Sequence, residues 1–277
     1  MRNFFLKIFN FLSIIYLFIF GRKIFYFFNL ILLKVILKSI GYQNFGSYRF
    51  TGEKNFIKSI RKFKPKVCVD IGAHIGSYTS LLLDELDCRV ICFEPNKFSF
   101  EKLKKLKKIY KNKIHPHNYA VTNQNKKVDL YYGSKTSQLA SLNKDLTKIS
   151  FIKNSNKNIK TVRGITLDFF FKKNKKNYKS IDFIKIDTEG HEYEVLIGAK
   201  KTIKKFKPNF IQIEFNWHQL FKNKTLLNFH QILKDYDLYR ILPMGGSLIK
   251  IDPNSPENNI FHLSNIVFIK KSINYGN

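Results

Sequence analysis

Carboxylates that close short apolar runs mark where this sequence could do chemistry. Val67 to Ile71 is an apolar run broken only by Asp70, and Gly72 and Gly76 follow it in Asp70-Ile-Gly-Ala-His-Ile-Gly76. Glycine is needed where backbone must approach a ligand with no Cβ in the way. Turns that seat a pyrophosphate on a helix N-terminus use GxGxxG spacing, whereas this one is GxxxG with an acid two residues before the first glycine. That acid would repel a pyrophosphate but can accept hydrogen bonds from an ammonium group. Glu94 stands 22 residues after Gly72 and ends the next apolar run in Cys92-Phe-Glu-Pro95, where a carboxylate can accept both hydroxyls of a ribose. Further on, Asp187, Glu189 and His191-Glu192 follow the run Ile181 to Ile186. Glu214 ends Phe210 to Phe215, with His218 one turn later. Acids at neighbouring strand ends can take a proton from a hydroxyl, or hold Mg²⁺ through oxygen ligands. Asp187 is the candidate base, or a metal ligand together with Glu214, although nothing in the sequence requires a metal. The plainer reading is that Glu94 is an ordinary strand-end acid and that Glu189 and Glu192 stabilise the following helix N-terminus. For Glu192 that reading is the stronger.

The elements that must position these groups follow from periodicity. From about residue 45, short apolar runs alternate with lysine-rich helical stretches, the pattern of a parallel sheet with crossover helices. Strands are predicted at Val67–Ile71, Arg89–Phe93, His115–Val121, Ile181–Ile186 and Phe210–Phe215, with later ones at Leu238–Leu242 and Ile266–Ile269. Val128–Tyr132 reads as an edge strand or excursion. Helices are predicted at Ser77–Leu86, Lys97–Tyr110, His191–Phe206 and Thr225–Lys234; Phe100, Leu103, Leu106 and Ile109 share one face of the second. Residues 133 to 160, rich in Ser, Asn, Lys and Thr, read as a loop or insertion. Cys68, Cys88 and Cys92 form no CxxC pair, and an odd, sparse set fits a reducing compartment. No internal repeat is visible.

Taken together, Asp70 to Gly76, Phe93-Glu-Pro95, Asn118-Tyr-Ala120, Thr166-Leu-Asp168 and Lys185-Ile-Asp-Thr-Glu-Gly-His-Glu192 resemble, in order and spacing, the FkbM family of S-adenosylmethionine-dependent methyltransferases. The resemblance spans about residues 50 to 215, and His74 departs from it where the family more often has Asn. It implies an α/β fold: a doubly wound, Rossmann-like sheet, mostly parallel, with an antiparallel C-terminal strand. It further implies that Asp70, Gly72, Ala73 and Gly76 hold the methionine end of S-adenosylmethionine, that Glu94 holds the ribose, and that Asn118 and Ala120 lie near the adenine. Oxygen would be the methyl acceptor, and Asp187, Glu214 and His218 the candidate catalytic group. An acid beside a sulfonium and an ammonium is also electrostatically sounder than one beside the pyrophosphate of NAD.

The remaining signals concern partners. The formal net charge is +29, which raises nucleic acid or an anionic membrane as partners. Only seven of the 49 basic residues are arginine, and Lys, Asn, Ile and Phe are abundant throughout, as codon bias with solvated faces would give. The lysines also lack the aromatic interleaving of a single-strand nucleic-acid platform. Residues 1–44 form a hydrophobic, membrane-prone helical extension ahead of a methyltransferase domain at 45–277. The longest uncharged run there, Ile8 to Gly21, holds 14 residues, short of the ~20 a spanning helix needs. No small-residue cleavage site of a secretory signal follows. Helices lying in the membrane interface fit best, against a spanning helix over that run with Lys7 and Arg22 snorkelling or a helical lid. The absence of Asn-Pro-Pro-Tyr, HExxH, P-loop and GxSxG motifs narrows the chemistry. The expectation is an O-methyltransferase at the cytoplasmic face of the membrane, acting on a sugar hydroxyl in surface-glycan biosynthesis. An RNA methyltransferase and a non-catalytic membrane-bound scaffold are the alternatives.

Overall fold

The computed structural model describes residues 2–133, 139–144 and 156–275. Two apolar helices, α1 (Arg2–Phe20) and α2 (Tyr26–Ser39), come first, and α3 (Glu53–Ser59) leads into the sheet. Eight strands form that sheet: β1 (Val67–Ile71), β2 (Arg89–Phe93), β3 (Ile114–His117), β7 (Phe183–Ile186), β8 (Phe210–Phe215), β9 (Tyr236–Ile241), β10 (Leu248–Lys250) and β11 (Ser264–Lys270). Their order is β10-β9-β11-β8-β7-β1-β2-β3. Neighbours from β8 to β3 are parallel, while β11 runs antiparallel between β8 and β9. The expected mostly parallel sheet with an antiparallel C-terminal strand is thus observed. A smaller sheet, ordered β4-β6-β5, is made by β4 (Ala120–Val121), β5 (Lys127–Tyr132) and β6 (Asn158–Ile165).

Period-two alternation on β1 shows why the core has two halves. Val67, Val69 and Ile71 pack on one face with Phe170, Val195 and Leu196. Cys68 points to the other face, with Phe56, Leu82 and Leu103. All five residues of β1 are buried, as a strand covered by helices on both faces must be. The three cysteines are free, buried thiols.

Several predicted elements are broken where side chains cap or crowd the backbone. The expected third strand ends at His117, and Ala120–Val121 leaves the main sheet to pair with β6. The helix expected over Lys97–Tyr110 is interrupted at Leu106. The one expected over His191–Phe206 splits into Glu192–Ile197 and Lys200–Phe206. At that split the Gly198 carbonyl accepts from Asp168 N, and the Asp168 carboxylate accepts from Lys201 N, Thr202 N and Thr202 Oγ1, capping the second helix. The Thr166-Leu-Asp168 signature is therefore a pair of caps, since Thr166 Oγ1 also accepts from Phe169 N. The last three residues of the segment expected to be a loop, 158–160, already belong to β6, which pairs with β5 through residues 158–163 and with β4 through Gly164 and Ile165. Residues 134–138 and 145–155 of that segment lie outside the described residues.

Candidate functional site

Where the chain order reverses beside β1, the carboxyl ends of β1, β2, β7 and β8 open into a cavity of about 390 Å³. This is the crevice where open α/β sheets bind ligands, and the volume lies within the range of small-molecule sites. Asp70, Gly72, Ala73 and Glu94 line it on one side and Lys185, Asp187, Glu189 and Glu214 on the other. Glu53 and Asn265 lie at the base. Tyr119, Ala120, Val121, Leu130 and Leu142 supply an apolar wall from the smaller sheet and its flank.

The β1 turn is held by its own backbone. Gly72 N and Ala73 N both donate to the Phe93 carbonyl at 2.9 and 3.0 Å. Gly72 has φ +83, and a Cβ there would overlap the Asp187 carbonyl oxygen. Gly76 (φ +92) starts the helix Ser77–Glu85, and a Cβ on it would run into Leu103 and Leu106. Gly72 is thus demanded by the close pass of the β7 end. Gly76 is demanded by helix packing and lies outside the cavity lining. His74, also left-handed at φ +51, donates its backbone N–H to Glu94 Oε2 at 2.8 Å.

Asp70 and Glu94 are both buried. Thr79 Oγ1 donates to Asp70 Oδ2 at 2.6 Å. Burial nonetheless pushes the Asp70 carboxyl up to about 6, with the Thr79 hydroxyl and Lys185 acting against it. Glu94 accepts one backbone N–H on each oxygen, from His74 and from Asn96 at 2.7 Å, and burial pushes it up to about 7. An ionised carboxylate has about four acceptor positions, so roughly half of them remain for a ligand. Asn118 does not line the cavity. Its amide donates to the carbonyls of Glu94 and Pro95 at 2.7 and 3.0 Å, so it braces the Glu94 turn from behind.

Under the cavity lies a buried charge network. Lys185, 2% exposed, places Nζ 2.9 Å from Asp187 Oδ2 and 5.1 Å from the Tyr78 ring centroid. Burial alone would lower its ammonium, but the carboxylates of Asp187, Glu53 and Glu214 more than offset this and hold it above its ordinary value. Glu53 accepts from Thr51 Oγ1 and Gln212 Nε2, and Tyr78 Oη donates to Gln212 Oε1. Register explains the assembly: Asp70 lies opposite Lys185, and Lys185 opposite Gln212. Adjacent positions in a parallel sheet share a face.

Beside this network, Asp187, Glu189 and Glu214 bring carboxylate oxygens within 4.8 Å of one another. Burial, then mutual repulsion, drives the Glu189 and Glu214 carboxyls well above the usual range. Such a set can share protons or surround a hard cation through oxygen. Glu192 turns away from it. Its Oε1 accepts from Thr188 N, Thr188 Oγ1 and Gly190 N, and its Oε2 from Gln219 Nε2. His218 is also displaced from the expected place. It is buried behind Glu189, with Nδ1 3.7 Å from Glu189 Oε2, and is absent from the cavity lining. Burial lowers its imidazole to about 3, so it is neutral in the physiological range. Lys185 and Glu53 were not singled out in the sequence. The available signal was polar residues two positions before Asp187 and Glu214, at Lys185 and Gln212, inside otherwise apolar strands.

The profile of the methyltransferase FkbM domain matches residues 70–240. No curated protein matches the sequence. Among solved structures, the chain is similar to the O-methyltransferase from Bacillus cereus in complex with SAH. That match has 10% identity and a TM-score of 0.44, covering 79% of this chain and 80% of that one. It is also similar to precorrin-6y C5,15-methyltransferase from Geobacter metallireducens GS-15, at 12% identity and a TM-score of 0.41, covering 79% and 87%.

Proposed function

The chain belongs to the FkbM methyltransferase domain family, and from that premise we propose that it transfers a methyl group from S-adenosylmethionine to a sugar hydroxyl in surface-glycan biosynthesis. The observation that carries this reading is the excess of acid in the crevice. Glu53, Asp70, Asp187, Glu189 and Glu214 line it around the ammonium of Lys185, and a cationic donor offsets that excess.

The lining suits such a donor part by part. Asp70 would accept from its ammonium, and Glu94 would use its free acceptor positions on the ribose hydroxyls. Ala120, Val121 and Leu130 would face the adenine. The helix Ser77–Glu85 carries no side-chain cap at its start, so its first backbone N–H groups are available to the carboxylate of the methionine end. When bound, S-adenosylmethionine supplies a methyl group made electrophilic by its sulfonium.

The residues of this chain do the rest. A hydroxyl is a poor nucleophile until its proton is removed, and the cluster of Asp187, Glu189 and Glu214 stands where an acceptor would meet that methyl group. Asp187 is tied to Lys185, which fixes its place beside the two glutamates. Glu189 and Glu214, whose carboxyls burial raises, can accept the proton once a cation enters beside them and they ionise. The same three carboxylates are the groups that would hold Mg²⁺. The apolar wall limits water, and in-line placement of oxygen and methyl supplies much of the rate. Contact with the cytoplasmic face of a membrane through α1 and α2 is part of the proposal.

The test is incubation of the full chain with methyl-labelled donor and either cell-envelope extract or total RNA. Label is expected in an envelope saccharide, and label in RNA would refute the acceptor assignment. In calorimetry, Asp187→Ala is expected to keep donor affinity while turnover falls. Full turnover in that variant would remove Asp187 from the site.

A further inference from the structure

Resting on the methyltransferase reading, we propose that the acceptor is a membrane amphiphile. Its hydroxyl-bearing head enters the cavity while its apolar chain stays in an anionic bilayer on which α1 and α2 lie. The two helices and the turn between them expose many apolar side chains: Phe18 on α1 is 74% exposed, Ile24 in the turn 82%, and Phe27 and Ile31 on α2 75% and 63%. Of α2 only Leu37 is buried. A contiguous apolar surface of that kind marks an interaction site.

Their arrangement is held from within. The helices Lys7–Phe20 and Lys23–Ser39 meet at 97°, and among the described residues no single helix is long and apolar enough to cross a membrane. At the corner Tyr16 Oη donates to Asn29 Oδ1, Asn29 Nδ2 donates to the Phe20 carbonyl, and the Phe20 ring packs on Phe25 and Phe28.

Charge selects the occupant. The first acidic residue in the chain is Glu53, while Arg2, Lys7, Arg22, Lys23, Lys34, Lys38 and Arg49 precede it. A segment with seven cations, no anion and this much exposed aromatic and aliphatic surface complements anionic lipid head groups.

The link to the cavity gives the substrate class. Directly after α2, Tyr42 is fully buried, and its hydroxyl accepts from Arg240 Nη2 and donates to the Glu257 carbonyl. The Arg240 guanidinium lies 3.9 Å from its ring centroid. Asn44 N then donates to the Leu263 carbonyl, and Asn44, Phe45, Gly46 and Tyr48 line the cavity itself. The α2 surface and the rim are one side chain apart, since Lys38 Nζ stands 5.2 Å from the Phe45 ring centroid. The five residue steps of chain from Ile40 to Phe45 reach at most about 18 Å. Phe45 and Phe50 are both more than half exposed, as is Met244, whose N–H donates to the Phe50 carbonyl. The apolar surface thus runs from the helices to the mouth, and an amphiphile's head reaches the acids without its tail entering water.

The experiment uses the full chain, tritiated methyl donor, and vesicles of phosphatidylglycerol or of phosphatidylcholine loaded with a chloroform–methanol envelope extract; the aqueous envelope extract serves as the second acceptor. Flotation with phosphatidylglycerol vesicles is expected, and at least tenfold more label in chloroform-soluble than in aqueous product. The double variant Phe27→Glu/Ile31→Glu is expected to lose flotation and lipid labelling while its calorimetric donor affinity stays within twofold, which also reports its folding. Several outcomes overturn the proposal: label confined to aqueous product, undiminished lipid labelling by the variant, equal flotation with phosphatidylcholine alone, or active protein whose sequenced N-terminus begins beyond residue 40. A wild-type chain that binds no donor would instead refute the methyltransferase reading beneath it.

Discussion

Replacing Asp70 by Asn separates what the site costs the fold from what it gives the ligand. The substitution keeps shape, and an amide oxygen can still accept the Thr79 hydroxyl now at 2.6 Å. It removes a buried charge whose carboxyl has been pushed from 3.8 to about 6. At about 1.4 kcal/mol per tenfold change in proton affinity, ionised Asp70 costs the folded chain about 3 kcal/mol. The sign follows from a folded value above the unfolded one. Below about pH 4 both states are protonated and there is no cost; the cost grows as pH rises from about 4 to 6 and is full above that. Asp70→Asn is therefore expected to raise thermal stability without ligand at pH 8 by up to about 3 kcal/mol, a shift of several degrees, and to lose that advantage toward pH 4.

Binding should move the other way. Loss of a charge-assisted hydrogen bond to an ammonium is worth about 1.5–3 kcal/mol, so donor affinity should fall about 10- to 150-fold. In the wild type, donor affinity should weaken roughly tenfold between pH 7 and pH 5 as Asp70 takes up its proton. Calorimetry across that range and melting without ligand provide both readouts. A variant that binds normally, or one less stable than wild type at pH 8, would refute the assignment of Asp70 as the buried anion awaiting a cation.

Three further substitutions probe the frame around the site. Gly72→Ala forces a Cβ into the Asp187 carbonyl at φ +83, so soluble yield and melting temperature should drop sharply, where an ordinary surface change would cost under about 0.5 kcal/mol. Lys185→Met takes the ammonium from between Glu53 and Asp187; a loss of about 3–5 kcal/mol in denaturant unfolding is expected, larger at pH 8 than at pH 5 because the stranded Glu53, raised by burial, takes up a proton more readily at the lower pH. His218→Phe should alter stability little, since neither ring nitrogen has a hydrogen-bond partner among the described residues, and the pH profile of turnover should keep its shape because the imidazole, lowered to about 3, is already neutral.

How far the sequence foretold this site depends on whether a residue announces itself locally. Asp70, Glu94, Asp187 and Glu214 each close an apolar run, and a strand-end acid needs no tertiary knowledge to be noticed. Glu53 and Lys185 do not behave that way. Glu53 opens a short helix in what reads as a connecting stretch, and it meets Lys185 only because β1, β7 and β8 lie side by side in one register. His218 misled for the opposite reason. One helical turn after Glu214 is close in sequence, yet the turn at Asn216, whose Oδ1 accepts from His218 N, sends the imidazole behind Glu189. The breaks at Leu106 and Gly198 were hidden because apolar periodicity continues across them, and only contacts from other segments interrupt the backbone.

The glycines carry the more general point. In the sequence they read as clearance for a ligand, whereas Gly72 gives clearance to the Asp187 carbonyl and Gly76 to Leu103 and Leu106. Those contacts draw the ends of β1 and β7 together, which is what brings Asp70, Lys185 and Asp187 within reach of one another. A motif so built would persist in a chain that bound nothing, so the glycines alone do not distinguish an enzyme from a scaffold of the same fold. The buried acids are where the proposed activity makes a distinct demand. Burial raises the carboxyls of Asp70, Glu189 and Glu214 above those of free acids. That cost makes physical sense where a cation arrives to relieve it.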